Sequence, residues 1–121
     1  MKIYVAGSFA TRKGVKRVLE LQNSLRKAGF EVLNQLGAFD YTRIEDFRAR
    51  VKLGKRIIEN DLSLLEQADV IVALADESSF GIGAEAFYAK QILKKKIVAI
   101  VTKPAKSPWI VSHADVILET Y

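Results

Sequence analysis

The sequence predicts a single α/β domain over residues 1–121, a doubly wound, Rossmann-like parallel sheet of five strands with helices on both faces. Three observations predict it. Strand-like and helix-like segments alternate along the chain, which calls for parallel strands joined by right-handed crossovers. Two strand segments, "DVIVALA" at Asp69–Ala75 and "IVAIV" at Ile97–Val101, are apolar without alternation, as strands covered on both faces are. Finally, 121 residues that are 50% apolar suffice for one buried core, and by the usual size prior they are expected to form one domain.

The elements follow in order. "KIYVA" at Lys2–Ala6 reads as a strand, broken by Gly7-Ser8. Apolar residues at helical spacing (Val15, Val18, Leu19, Leu25, Ala28) predict a helix from Arg12 to Ala28, with Gly29 at its C-terminal cap. "FEVL" at Phe30–Leu33 is a second strand. Gln35–Asp46 reads as a long loop, and long loops in compact domains are often functional. Val51, Ile57, Ile58, Leu62 and Leu65 stripe a helix from Phe47 to Gln67. The buried strand, the turn "ESSFGIG", a helix over Ala84–Leu93, the "IVAIV" strand, a loop over Lys103–Pro108 and a short strand at Val116–Leu118 complete the chain. In such sheets ligands sit beyond the carboxyl ends of the strands. Function is therefore expected in the loops at Gly7–Arg12, Gln35–Asp46 and Asp76–Gly83.

Composition narrows the chemistry. With no cysteine, disulfides, zinc ribbons, thiolate nucleophiles and iron–sulfur sites are excluded. With His113 the one histidine, a multi-histidine metal centre is excluded, and a Ser-His-Asp triad would rest on it alone. No apolar run reaches the ~18 residues of a membrane span. Met1-Lys2 leads straight into a strand, so no signal peptide and a cytoplasmic location are expected. The net charge of +5 suits an anionic ligand, although a solvated basic surface is the plainer reading. Nucleic acid is not the expected partner, because interleaved aromatics and Gly-rich arms are missing. Phe9, Phe39, Tyr41 and Phe80 instead fall in the ligand loops, where they could sandwich a base.

Three segments carry candidate chemistry. In "YVAGSFATR", Gly-Ser at a helix entry either presents N–H groups and a hydroxyl to an anion or simply makes the turn and caps the helix. The spacing fits neither a P-loop nor a dinucleotide fingerprint. Tyr4, a phenol within a buried strand, needs a hydrogen-bond partner. In "SSFGIGAE", Gly81 and Gly83 let the backbone approach something closely. Glu85 in the first helical turn is then either a carboxylate favoured by the helix dipole or a nucleophile held ionised by nearby N–H groups. In "ENDLSLLEQADVIVA", Asp61 is an exposed helix residue or a general acid tuned by a neighbouring carboxylate.

Together, "YVAGS", "NDLSLLEQADVIVA", "SSFGIGAE" and "SPWI" make the chain resemble the nucleoside 2-deoxyribosyltransferase superfamily over nearly its whole length. Within it, the chain is most similar to the 2′-deoxynucleoside 5′-monophosphate N-glycosidases. The resemblance implies hydrolysis of the N-glycosidic bond of those nucleotides through a covalent glycosyl–glutamate, without metal or cofactor. Glu85 would be the nucleophile, Asp61 the proton donor to the leaving base, and Tyr4 the residue beside sugar and nucleophile. Ser8 would bind the 5′-phosphate, with Gly7, Phe9, Arg12, Ser79, Gly81 and Gly83 completing the substrate site. Where the transferases carry Asp, six residues before the nucleophile, this chain has Ser79, as the monophosphate hydrolases do; a hydroxyl donates to phosphate, and a carboxylate would repel it. Family members complete the site from a neighbouring subunit, which points to Ser107 and a homodimer or larger homo-oligomer. One departure stands out: the hydrolases' Arg two residues after the phosphate-binding Ser is Ala10 here, and Arg12 lies two further on. The alternatives are a deoxyribosyltransferase acting on unphosphorylated nucleosides and a non-catalytic nucleotide-binding module.

Overall fold

The structure, a computed structural model, describes residues 1–37, 44, 46–76, 79–105 and 107–119. Five strands, β1 (Lys2–Ala6), β2 (Glu31–Val32), β3 (Val70–Leu74), β4 (Lys96–Ile100) and β5 (Val116–Leu118), form one sheet in the order β2-β1-β3-β4-β5. Every pairing is parallel, with Tyr4 opposite Ile71 and Ile71 opposite Ile97. Among the described residues, four α-helices cross between them: α1 (Arg12–Lys27), α2 (Val51–Gln67), α3 (Phe80–Phe87) and α4 (Pro108–Val111). The chain steps from β1 outward to β2, then back past β1 to β3. The switch in strand order therefore falls between β1 and β3, where α/β sheets open a crevice.

The sheet divides the core into two layers. On one face α1 lays Val18 and Leu21 against Ile3, Val5, Val72 and Leu74. On the other, α2, α3 and α4 cover Tyr4, Ala6, Ile71, Ala73, Ile97 and Ala99 with Leu65, Ala68, Ile82, Ala86, Ala89 and Ile110. Half of these twelve side chains are alanine, and such small side chains let the helices lie close to the sheet. Tyr4 is the large exception on that face, 1% exposed among alanines.

Caps set the helix ends. Thr11 accepts the Gly14 N–H at 3.0 Å and starts α1, so the cap is Thr11 and not Ser8. Gly29 terminates the same helix region at φ +96°, a conformation that favours glycine. Gly14 itself is wedged: a Cβ there would lie 2.3 Å from the Ser8 carbonyl oxygen. Gly14→Ala is therefore expected to lower stability by about 1–3 kcal/mol by overpacking, against a helix-propensity gain of only ~1 kcal/mol. Urea denaturation of the two proteins measures it.

Several boundaries differ from the sequence expectation. The stretch expected as one helix from Phe47 divides at Arg50 (φ −130°, ψ 36°), leaving a 3₁₀ turn at Phe47–Ala49 before α2. α3 begins at Phe80, four residues ahead of the expected Ala84, because Ser79 caps it through the Ile82 N–H. Its last turn widens into a π-helical turn over Tyr88–Ile92. α4 starts where the loop expected over Lys103–Pro108 ends: Ser107 caps it and Pro108 opens it, the usual place for a helix proline. No helix among the described residues is long and apolar enough to cross a membrane.

Candidate active site

Three elements on one face of the sheet bring Tyr4, Asp61 and Glu85 together. Tyr4 rises from the middle of β1, Asp61 faces inward from α2, and Glu85 lies in the second turn of α3. The Tyr4 hydroxyl donates to the Glu85 carboxyl. Asp61 is near enough for its charge to act on Glu85. Among the described residues, Asp61 Oδ1 and Glu85 Oε2 are buried side-chain oxygens with no hydrogen-bond partner. Buried polar atoms are nearly always satisfied, so two orphaned carboxyl oxygens on facing helices need a reason.

Electrostatics give the pair an unusual proton balance. Burial, then repulsion by Asp61, pushes Glu85 up to about 8, and the Tyr4 hydroxyl pulls it back only in part. Burial pushes Asp61 up to about 6, opposed by a hydrogen bond from Asn60. The pair titrates as a unit and retains one proton near neutrality. This corrects the expectation that N–H groups hold Glu85 ionised. The Gly83 N–H is spent on the Ser79 carbonyl at 3.3 Å, and the Ile82 N–H on the Ser79 hydroxyl at 3.5 Å. With the helix starting early, Glu85 also lies beyond the first turn, where the dipole acts most strongly. Burial and the Asp61 charge both favour the protonated form of Glu85.

The other expected site residues lie after β1, at the starts of α1 and α3, and at the cap of α4. Ser8, 5% exposed, follows β1 and accepts the Ala10 N–H at 3.3 Å. It lines a cavity of about 10 Å³ with Gly14, Arg17 and Leu74, room for one water-sized group. Gly7 is required by packing, since a Cβ would meet Val18 Cγ2 at 2.3 Å. Phe9 is half-buried and packs on the α1-side core, while Phe80 is fully exposed. Arg12 is exposed at the start of α1. Around Gly81 and Gly83 a Cβ would meet protein no closer than 3.6 Å, so packing does not demand glycine at either position. Ser107 is exposed and accepts the Trp109 N–H at 3.3 Å within its own chain. His113 stacks on Trp109, meets Phe87 edge-on and bonds the Trp109 carbonyl, a structural role just past the end of α4. Phe39, Tyr41 and most of the Gln35–Asp46 loop lie outside the described residues, as does Ser78.

Two polar clusters were not anticipated. Asp76, just past β3, accepts from Arg17 Nη1 at 2.8 Å, from the Thr102 N–H at 2.6 Å and from the Thr102 hydroxyl. Burial raises its pKa, but Thr102 and Arg17 together hold it below the usual value. This joint ties α1 to the ends of β3 and β4 beside the Ser8 cavity. The second is a chain of amides. Gln22 Nε2 donates to Gln35 Oε1 at 3.0 Å, Gln35 Nε2 to the Val5 carbonyl at 2.7 Å, and Asn60 Nδ2 to the Gln35 carbonyl at 3.3 Å. Asn60 stands beside Asp61 in the "END" segment, the one local signal that could have drawn attention to it.

No family model matches the chain. A protein of Thermofilum pendens named "Putative 2'-deoxynucleoside 5'-phosphate N-hydrolase 1" is 33% identical over 89 residues, 73% of this chain and 59% of that protein. The chain thus matches less than two thirds of that relative's length. Among solved structures, a 2-deoxyribosyltransferase of Bacillus psychrosaccharolyticus superposes with TM-score 0.76 at 20% identity, over 100% of this chain and 92% of that one. A CMP N-glycosidase of Clostridium botulinum gives TM-score 0.64 at 16% identity, over 98% and 90%. At those identities the two structures speak for the fold. The motif resemblance, the sequence relative and the shared fold agree, and they relate this chain to the nucleoside 2-deoxyribosyltransferase superfamily.

Proposed function

We propose that this chain hydrolyses the N-glycosidic bond of 2′-deoxynucleoside 5′-monophosphates, giving free base and deoxyribose 5-phosphate. The observation that carries the reading is the pair of unpartnered carboxyl oxygens, Glu85 Oε2 and Asp61 Oδ1, on facing helices with Tyr4 against Glu85. A retaining glycosidase needs two such carboxyls, one to attack the sugar and one to handle the proton. As the C1′–N bond breaks, positive charge grows at C1′ and the ring oxygen. That charge beside Glu85 lowers its pKa, so its proton leaves for Asp61 as attack proceeds. A Glu85 oxygen forms the ester to C1′, the bond electrons go to the base nitrogen, and Asp61 supplies that nitrogen's proton. In the second step water adds to C1′, Asp61 takes its proton, and Glu85 is released. The Tyr4 hydroxyl stabilises the glutamate anion when it departs and orients it when it attacks.

Ser8, Ser79 and Arg12, with Gly7, Phe9, Gly81 and Gly83 around them, are the groups proposed for the sugar phosphate. The space over Gly81 and Gly83 supports this. Ser107 of a second copy is proposed to close the site. One observation favours a second reading, deoxyribosyl transfer between unphosphorylated nucleosides: Ala10 stands where the hydrolases place a phosphate-binding arginine. There a second base, in place of water, would intercept the same ester.

Chromatography of incubations separates these readings. The four deoxynucleoside 5′-monophosphates, the matching deoxynucleosides, and CMP and GMP are offered with and without a free acceptor base. Free base and deoxyribose 5-phosphate from the deoxynucleotides, faster than from nucleosides, is the expected result. Exchange with the acceptor on nucleosides alone would establish the transferase. Intact substrates throughout would leave a non-catalytic nucleotide-binding module.

A further inference from the structure

Resting on the nucleotide reading above, we propose that Arg17 is the guanidinium that grips the substrate's 5′-phosphate, from the second turn of α1 and across a small cavity from Ser8. The position two residues after Ser8 holds Ala10, which offers only its own N–H, and that N–H goes to Ser8 Oγ at 3.3 Å. Arg12 is exposed at the start of α1 and does not line the cavity. Arg17 does line it, together with Ser8, Gly14 and Leu74. Gly14 makes this approach possible. A Cβ there would lie 2.3 Å from the Ser8 carbonyl oxygen, so α1 rests bare backbone against the Ser8 loop. Arg17, three residues on, lies along the same helix face.

The place and size of the cavity fit one end of a phosphate. Ser8 follows β1 and Leu74 ends β3, so the cavity lies at the switch in strand order. Its volume of about 10 Å³ takes one water-sized group, and a phosphoryl oxygen is of that size. One oxygen would enter between Ser8 and Arg17 while the sugar stays outside. A guanidinium presents a planar fork of donors that matches phosphate, as an ammonium does not. In the resting protein a carboxylate already engages that fork, since Arg17 Nη1 donates to Asp76 at 2.8 Å. The pair is sheltered, with 19% of the Arg17 side chain and 1% of the Asp76 side chain exposed, and shelter strengthens a hydrogen bond to an anion. Asp76 does not depend on Arg17 alone. It also accepts the Thr102 N–H at 2.6 Å and the Thr102 hydroxyl, so its charge stays compensated when Arg17 turns to a phosphate.

The test measures binding apart from turnover. Deoxyribose 5-phosphate and unphosphorylated deoxyribose are titrated into the full chain, followed by nitrogen-15 NMR of the Arg17 side chain and the Ser8 amide. The phosphorylated sugar is expected to shift both signals, and deoxyribose to leave the Arg17 signal in place. Arg17→Gln should weaken binding of deoxyribose 5-phosphate by about tenfold to a hundredfold, the worth of hydrogen bonds to a charged group. Arg17→Lys keeps the charge and loses the fork, so it should fall between the two and serves if the glutamine variant does not fold. Asp76→Asn breaks the same ion pair but keeps the guanidinium, and should bind deoxyribose 5-phosphate at least as tightly as the wild type. A loss in Asp76→Asn as large as that in Arg17→Gln would reduce Arg17 to a tie between elements and overturn the proposal. So would wild-type affinity in a folded Arg17→Gln, or an Arg17 signal unmoved at saturating deoxyribose 5-phosphate. If the wild-type protein binds deoxyribose 5-phosphate through Arg17 yet releases no base from deoxynucleotides, the catalytic reading fails and the assignment of Arg17 stands.

Discussion

Glu85→Gln is expected to reduce base release by at least about a thousandfold while making the folded protein more stable at alkaline pH. The substitution keeps the side chain's size, and its carbonyl oxygen can still accept the Tyr4 hydroxyl. What it removes is the charge and the oxygen nucleophile, and single removals of such groups cost several orders of magnitude. The stability effect follows from linkage. Burial and Asp61 raise Glu85 from 4.5 to about 8, so the folded chain binds this proton more tightly than the unfolded chain does. Stability from the bound proton is complete below about 4.5 and is lost as pH rises through about 8. Glutamine has no proton to lose. The variant's advantage should be absent near pH 4, grow across pH 4.5 to 8 and level off above. Thermal unfolding at pH 4 and pH 9, beside a chromatographic assay of base release, measures both effects. A side chain that weakens the fold and is indispensable to turnover is the pattern of an active-site trade-off. Full activity in Glu85→Gln, or a stability difference that ignores pH, would remove Glu85 from this role.

Much of this site can be read from the linear sequence, and the reasons are local. Strands β3 and β4 are dominated by β-branched residues and alanine, and their burial on both faces is visible in composition. Gly29 marks the far end of α1 by residue type, whereas at the near end the sequence offered Ser8 as the cap and the structure uses Thr11. The carboxylates were legible through the motifs around them, "NDL" and "GIGAE". What stayed hidden depends on distance. Gly81 and Gly83 disguised the first turn of α3, because glycine argues against helix until the Ser79 cap is seen to start it. Ser107-Pro108 reads as a turn and opens a helix, since proline at the first helical position fits both. The protonation of Glu85 was misread because it comes from burial and from Asp61, which is 24 positions away in sequence and adjacent in space. Gln22 and Gln35 carry no local sign of burial. Their amides satisfy one another and the Val5 carbonyl, and only the fold reveals the exchange.

Asp61→Asn should separate the two chemical steps. Losing the acid is expected to slow release of an ordinary base by about a hundredfold to ten-thousandfold, the usual range for general acid catalysis. The same change removes the charge that helps hold Glu85 protonated, so Glu85 becomes a better nucleophile at neutral pH. A deoxyribosyl phosphate carrying an activated leaving group, a nitrophenol for example, needs no proton to depart. With that substrate the variant should still form the glycosyl ester. The second step, however, lacks the carboxylate that would take a proton from water. The expected trace is a burst of nitrophenol stoichiometric with enzyme, then slow turnover, with the protein's mass raised by one deoxyribose phosphate less water. The pH at which the burst is fastest should also fall relative to wild type, following Glu85 downward. Equal losses on ordinary and activated substrates would place Asp61 in binding rather than proton transfer. An undiminished steady rate on the ordinary base would remove it from the mechanism.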